Sequence, residues 1–189
     1  MNPILREVSQ VLETERCRLR SPQEGDGKVV NEAIVRSIPE LKPWLPFVQT
    51  TPTIEDTEQN TREALAKFMT RESLRYLIFT KDGEFVGSTG FHNLDWDVRK
   101  LEIGYWIDTA YSGKGYVREA VQKLTDFAME ELGFVRVEIR CESENLKSRA
   151  VPESLGYELE GILKKEDLSV DGTRLTDTCV YAMVCEDTE

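Results

Sequence analysis

A chain of 189 residues has the length of one domain with a sizeable core, and at 40% hydrophobic and 31% charged residues its composition is globular rather than disordered. Its 24 Lys and Arg face 35 Asp and Glu, and the net charge of −11 argues against nucleic acid or an anionic membrane as the main partner while suiting partners that carry amines. The single histidine, His92, excludes a multi-histidine metal site.

The four cysteines, Cys17, Cys141, Cys179 and Cys185, form no CxxC pair, so no metal is expected and the thiols read as small core hydrophobes. No basic-then-apolar leader opens the chain, and no stretch approaches the ~18 apolar residues of a membrane span. A cytoplasmic, reduced protein is the expectation.

Six of the seven prolines precede residue 53, which places irregular structure early. No linker, low-complexity tract or repeat divides the chain, so residues 1–189 read as one domain with 1–13 as an N-terminal extension. Alternation at Cys17 and Leu19 predicts a strand over 15–20, and Val29, Val30, Ala33 and Ile34 predict a short helix over 26–36. A second helix, opened by Thr53 or Asp56 and ending near Arg71, would bury Leu65, Phe68 and Met69. Residues 74–80 and 85–94 flank Lys81-Asp82-Gly83-Glu84 and read as a hairpin, because Asp-Gly supplies the positive φ of a tight turn.

A strand over 100–107 leads to Gly113-Lys114-Gly115. The helix that follows carries Val117, Ala120, Val121, Leu124, Phe127 and Ala128 at helical spacing and ends at Gly133. A strand over 135–141, a short helix over 146–155 and a strand over 157–163 come next. The turn Val170-Asp171-Gly172-Thr173 then leads to a last strand near 179–184. This order predicts a mixed α/β sheet.

A strand ending in a Gly-rich turn that opens a helix offers unpaired N–H groups and a positive dipole end, a cradle for phosphate. The dinucleotide pattern GxGxxG would need a third glycine where Arg118 stands, and the P-loop pattern fails at Asp108 and Gly115.

The arrangement instead resembles the GNAT family of acyl-CoA-dependent N-acetyltransferases, and within it the RimJ/RimL-type ribosomal-protein enzymes. Three stretches carry the resemblance. They are Lys100-Leu101-Glu102-Ile103-Gly104-Tyr105-Trp106-Ile107, then Gly113-Lys114-Gly115-Tyr116-Val117-Arg118-Glu119-Ala120, and Asn145-Leu146-Lys147-Ser148-Arg149-Ala150 with Leu155-Gly156-Tyr157 and Glu160-Gly161. One departure is Ala110, where the wider family often carries Gln or Arg.

The resemblance implies the GNAT fold, a mixed and mostly antiparallel sheet flanked by helices, with acetyl-CoA as co-substrate and no metal. The pyrophosphate would lie on Ser112, Gly113, Lys114, Gly115, Tyr116 and Val117. The pantetheine arm would extend the sheet along Tyr105, Trp106 and Ile107, and Asn145 would contact it.

Acyl transfer to an amine also needs a base and an acid. Glu102 shares a strand face with Gly104 and Trp106 and matches the family's glutamate, so it is the expected base; its bland alternative is a surface carboxylate. Ser148 matches a serine that RimL-like enzymes place near the thioester sulfur, and it competes with Asn145 for a helix-capping role. Tyr105 and Tyr116 are alternative acids that read first as packing or backbone-contact residues, and His92 reads as structural or substrate-lining. Pro152 should leave the Ser148 carbonyl without a helical partner, so the short helix is expected to begin late or bend there.

The resulting expectation is an N-acetyltransferase acting on a primary amine, with the α-amine of a protein N-terminus, ribosomal in particular, favoured. The alternatives are a polyamine, amino acid or aminoglycoside-like acceptor, a non-catalytic acyl-CoA sensor and, more distantly, a nicotinamide-dependent oxidoreductase. A homodimer is left open.

Overall fold

A computed structural model describes residues 2–185 as one eight-stranded sheet with the order β1-β2-β3-β4-β5-β6-β8-β7. The strands are β1 (Val11–Glu13), β2 (Cys17–Arg20), β3 (Leu74–Thr80), β4 (Phe85–Asp95), β5 (Lys100–Ile107), β6 (Arg136–Glu142), β7 (Glu158–Leu168) and β8 (Leu175–Val184). The helices are α1 (Gly27–Leu41), α2 (Ile54–Thr70), α3 (Tyr116–Asp126) and α4 (Leu146–Ser154). Every neighbouring pair of strands is antiparallel except β5 and β6, which α3 joins as a parallel crossover. Among the described residues no helix is long and apolar enough to cross a membrane.

The sheet begins inside residues 1–13, since Val11–Glu13 pairs with Arg18–Arg20, so that stretch is not wholly an extension of the fold. α1 runs past Arg36 and through Pro39 to Leu41. Proline removes the bond to the carbonyl four residues back, but that residue is the exposed Val35, where solvent takes the acceptor. α2 opens with a reciprocal capping box between Thr53 and Asp56 and buries Thr57, Thr61, Ala64 and Phe68. Met69, expected inside, is exposed because the buried stripe runs one position away from it.

All six apolar positions expected to face inward from Val117 to Ala128 are buried. α3 continues into a π-type turn, Phe127–Glu131, before Gly133 reverses the chain at φ 77°. One apolar cluster joins α3 to β3, β4, β5, β6 and β8. A smaller one places Val30, Ala33, Ile34 and Leu41 of α1 with Leu77 and Phe85. Trp106 packs on this second cluster.

Candidate active site

β5 and β6 pair only at Lys100–Arg136, Leu101–Val137 and Glu102–Glu138. Beyond Glu102, β5 stays with β4 while β6 stays with β8, so the sheet opens into a wedge. On the wedge side, residues 103–107 of β5 have no strand partner among the described residues, and their backbone can receive an extended ligand as an added strand.

Strand alternation divides the wedge's residues between the two faces. Glu102, Gly104 and Trp106 point to the α1 side, in register with His92, Gly90 and Ser88 of β4. Tyr105 points to the other side. There its hydroxyl crosses to α4 and donates to the Ser148 carbonyl at 2.8 Å.

Glu102 is held at both oxygens. His92 Nε2 lies 3.0 Å from Oε1, and Asn93 Nδ2 donates to Oε2 at 3.0 Å. Burial alone would raise its carboxyl, but the hydrogen bond and charge of His92, with the Asn93 amide, outweigh burial and hold it below the usual carboxylate range. The group is an ionised acceptor at neutral pH rather than a surface carboxylate. His92, read from sequence as structural or lining, does line the pocket and also orients this carboxylate.

The Ser148 environment resolves a competition left open by the sequence. Asn145 is the cap of α4: its Oδ1 accepts from Ser148 N at 3.1 Å, which leaves the Asn145 amide NH2 for a ligand. The Ser148 hydroxyl is therefore not the cap, and it donates to Tyr105 at a loose 3.3 Å. α4 neither begins late nor breaks at Pro152. The carbonyl that Pro152 deprives of a helical N–H is taken by Tyr105 instead. Burial pushes the Tyr105 hydroxyl up, so it keeps its proton. Burial also raises the neighbouring Cys141 thiol to about 11, partly offset by a hydrogen bond with Ser148. Tyr116 packs its ring against Arg16 and Tyr111 in the loop.

The turn before α3 has the geometry of an anion cradle. Gly113 and Gly115 sit at φ 74° and 82°, a backbone that side chains rarely adopt, and a Cβ on Gly113 would meet nothing within 4 Å. The first N–H groups of α3 follow directly. The Lys114 ammonium folds back from this turn: it donates to the Ala110 carbonyl at 2.8 Å and lies over the Tyr111 ring.

Sequence reasoning missed two supports of this turn. Arg16 donates to the Lys114 carbonyl at 2.9 Å and to Glu119 at 2.6 Å. Asp108, fully buried at the end of β5, accepts from Arg36 and from Ala110 N, while Thr109 N donates to Ser37 Oγ at 2.9 Å. Apart from the local Asp108–Ala110 contact, these join residues 72 to 103 positions apart, and no local pattern announces them.

On the α1 side lies a pocket of about 510 Å3. Ile34 of α1, Asp56, Thr57 and Asn60 of α2, and Leu45 and Phe47 of the loop between these helices form its wall. The Phe47 ring stands 6.3 Å from that of Trp106. The Glu102 carboxylate thus lies next to the pocket residues His92 and Gly104 on one face, the Tyr105 and Ser148 hydroxyls stand on the other, and an unpaired strand edge and a glycine turn lie between them.

Comparison with known proteins identifies the family. The acetyltransferase (GNAT) domain family matches residues 16–158. The putative ribosomal N-acetyltransferase YdaF of Bacillus subtilis is 37% identical over 164 residues, covering 84% of this chain and 86% of the relative. The ribosomal-protein-serine acetyltransferase of Escherichia coli is 28% identical over 143 residues, 76% of each chain. A RimL ribosomal-protein α-N-acetyltransferase in complex with coenzyme A superposes with a TM-score of 0.84 at 23% identity, covering 92% of this chain and 97% of the other. The chain belongs to the GNAT acetyltransferases, enzymes that take acetyl-CoA as co-substrate.

Proposed function

We propose that this acetyltransferase acts on the α-amine of a protein N-terminus, with a ribosomal protein as the favoured acceptor. The names of the relatives support the substrate class. The observation that carries the chemistry is the Glu102 carboxylate, held ionised by His92 and Asn93 beside an open pocket at the point where β5 and β6 part.

Acetyl-CoA supplies an acetyl group already activated as a thioester. Residues 112–117 hold its diphosphate with backbone N–H groups, and Tyr105, Trp106 and Ile107 hold the pantetheine arm with Asn145 at its side. An amine near pH 7 is mostly ammonium. Glu102 accepts its proton, directly or through a water, before attack. Ser148, loosely bonded, turns its hydroxyl toward the departing sulfur, and Tyr105 stabilises the serine's position. The exposed apolar residues Leu159, Ile162, Leu163 and Leu168 on edge strand β7 support pairing of two copies.

Release of the CoA thiol, followed with N-terminal peptides, polyamines and aminoglycosides in parallel, tests the reading. The expected result is turnover with peptides, lost when the peptide α-amine is blocked. Turnover confined to the small amines overturns the acceptor assignment, and acetyl-CoA binding without release for any amine points to a sensor.

A further inference from the structure

The acceptor pocket holds a cation that the acetyl-transfer chemistry does not use. Arg75 of β3 lines it, in register with Gly90 of β4 and, through it, Gly104 of β5. Both glycines lack side chains, so bare backbone separates Arg75 from the strand that carries Glu102. A side chain at Gly104 would stand 3.0 Å from the His92 ring.

Arg75 is half-buried, and its one hydrogen bond to a side chain runs from Nη1 to Asn60 Oδ1, at 2.6 Å. Among the described residues no carboxylate lies within 4.0 Å of it. The nearby acid in the pocket wall, Asp56, is committed to capping α2, where it accepts from Thr53 N at 3.0 Å and Thr53 Oγ1 at 2.7 Å. Other partly buried arginines in the fold are neutralised: Arg20 grips Asp26 with both Nη atoms, and Arg136 spans Glu138 and Glu160. Burial without an anion lowers the pKa of Arg75, yet a guanidinium stays charged. Most of its donors remain for a ligand, and their fork matches a carboxylate.

We propose that Arg75, steadied by Asn60, binds a carboxylate on the acceptor, so that the pocket selects amines that carry one. The distance suits a short acceptor. Two strand spacings across and two residues along separate Arg75 from Glu102, about 10 Å by about 7 Å at the backbone, and the two side chains close much of that gap. An amine at Glu102 and a carboxylate at Arg75 then belong to one molecule: a peptide with an acidic residue next to its terminus, or a free amino acid.

This inference rests on the acetyltransferase reading, and kcat/KM measured on matched acceptors separates the two. Peptides beginning Ala-Glu and Ala-Gln form one pair, and a free amino acid and its amide form the other. The wild-type enzyme is expected to prefer the carboxylate member of at least one pair by about tenfold or more. The pair that shows the preference identifies the source of the carboxylate. In Arg75→Met that preference falls to about one, with the loss on the carboxylate-bearing member, and Arg75→Lys restores part of it. CoA release that is equal for both members of both pairs in the wild type, or an Arg75→Met loss equal for both members, overturns the carboxylate site while leaving acetyl transfer intact. No CoA release with any amine overturns both. Thermal melting of the variants, and the Arg75→Lys comparison, separate binding from misfolding.

Discussion

At Glu102 burial and charge oppose each other, and charge prevails: His92 and Asn93 keep the carboxylate ionised despite its shelter. In the proposed function Glu102 is the base; held below its ordinary range it stays ionised from pH 6 to 9, so a rise of rate with pH there is expected to come from the acceptor amine. Glu102→Gln keeps the shape but cannot take the proton. Its turnover is expected to fall by ~10²-fold near neutrality, with acetyl-CoA affinity little changed and a smaller loss at high pH, where free amine is abundant. A pH–rate profile equal to wild type in shape and height would remove Glu102 from the chemistry. Sequence could name this residue because strand alternation and the family pattern agree on it. It could not name Asn93 as a partner, because that contact depends on the irregular end of the β4–β5 register.

The element that repays closest attention is α4, with its internal proline. Local rules expect a helix that starts late or bends, yet it runs unbroken from Leu146 to Ser154 because a tyrosine from another strand supplies the missing donor. Tyr105→Phe should therefore orphan the Ser148 carbonyl and cost about 1–2 kcal/mol of stability. Adding Pro152→Ala to it restores a helical N–H to that carbonyl. Denaturant unfolding is expected to show the double variant recovering stability while turnover stays low, since the serine has lost its positioning partner. Additive stability losses would refute this coupling. The same contrast runs through the fold. α3 was legible because its apolar spacing is local, and every inward position is buried. α1 runs on through Pro39 past its expected end, the residue four back from the proline being the exposed Val35. The residues that brace the Gly113–Gly115 turn, Arg16, Arg36 and Asp108, meet only in three dimensions.

For the molecule as a whole, the fully buried Asp108 carboxylate ties the α1 layer to the sheet. Burial would raise its carboxyl, but hydrogen bonds from Arg36 and Ala110 N, the charge of Arg36 and the Ser37 hydroxyl hold it below its usual value of 3.8. A carboxyl depressed by folding stabilises the native state above its unfolded pKa, and that stability is lost as pH falls below about 3.8 toward the folded value. In Arg36→Ala the buried charge keeps only its neutral donors. A loss of about 2–3 kcal/mol is expected, less than for a fully buried pair because Arg36 is itself half-exposed. The acid-unfolding midpoint, read by circular dichroism, should move to higher pH. An unchanged midpoint would mean that the pair contributes nothing to acid stability.

That same tie has a consequence for the order of events in a catalytic cycle. α1 offers Ile34 to the pocket and, within the next turn, Arg36 and Ser37 to the segment that leads into the Gly113–Gly115 turn. With donor and acceptor seated as proposed, α1 borders both, so a shift of α1 that favours one of them changes the surroundings of the other. Thermodynamic linkage makes such an influence mutual: the factor by which bound donor tightens the acceptor equals the factor by which bound acceptor tightens the donor. Acetyl-CoA affinity measured with and without acceptor would read that coupling, and α1 is the element through which it would pass.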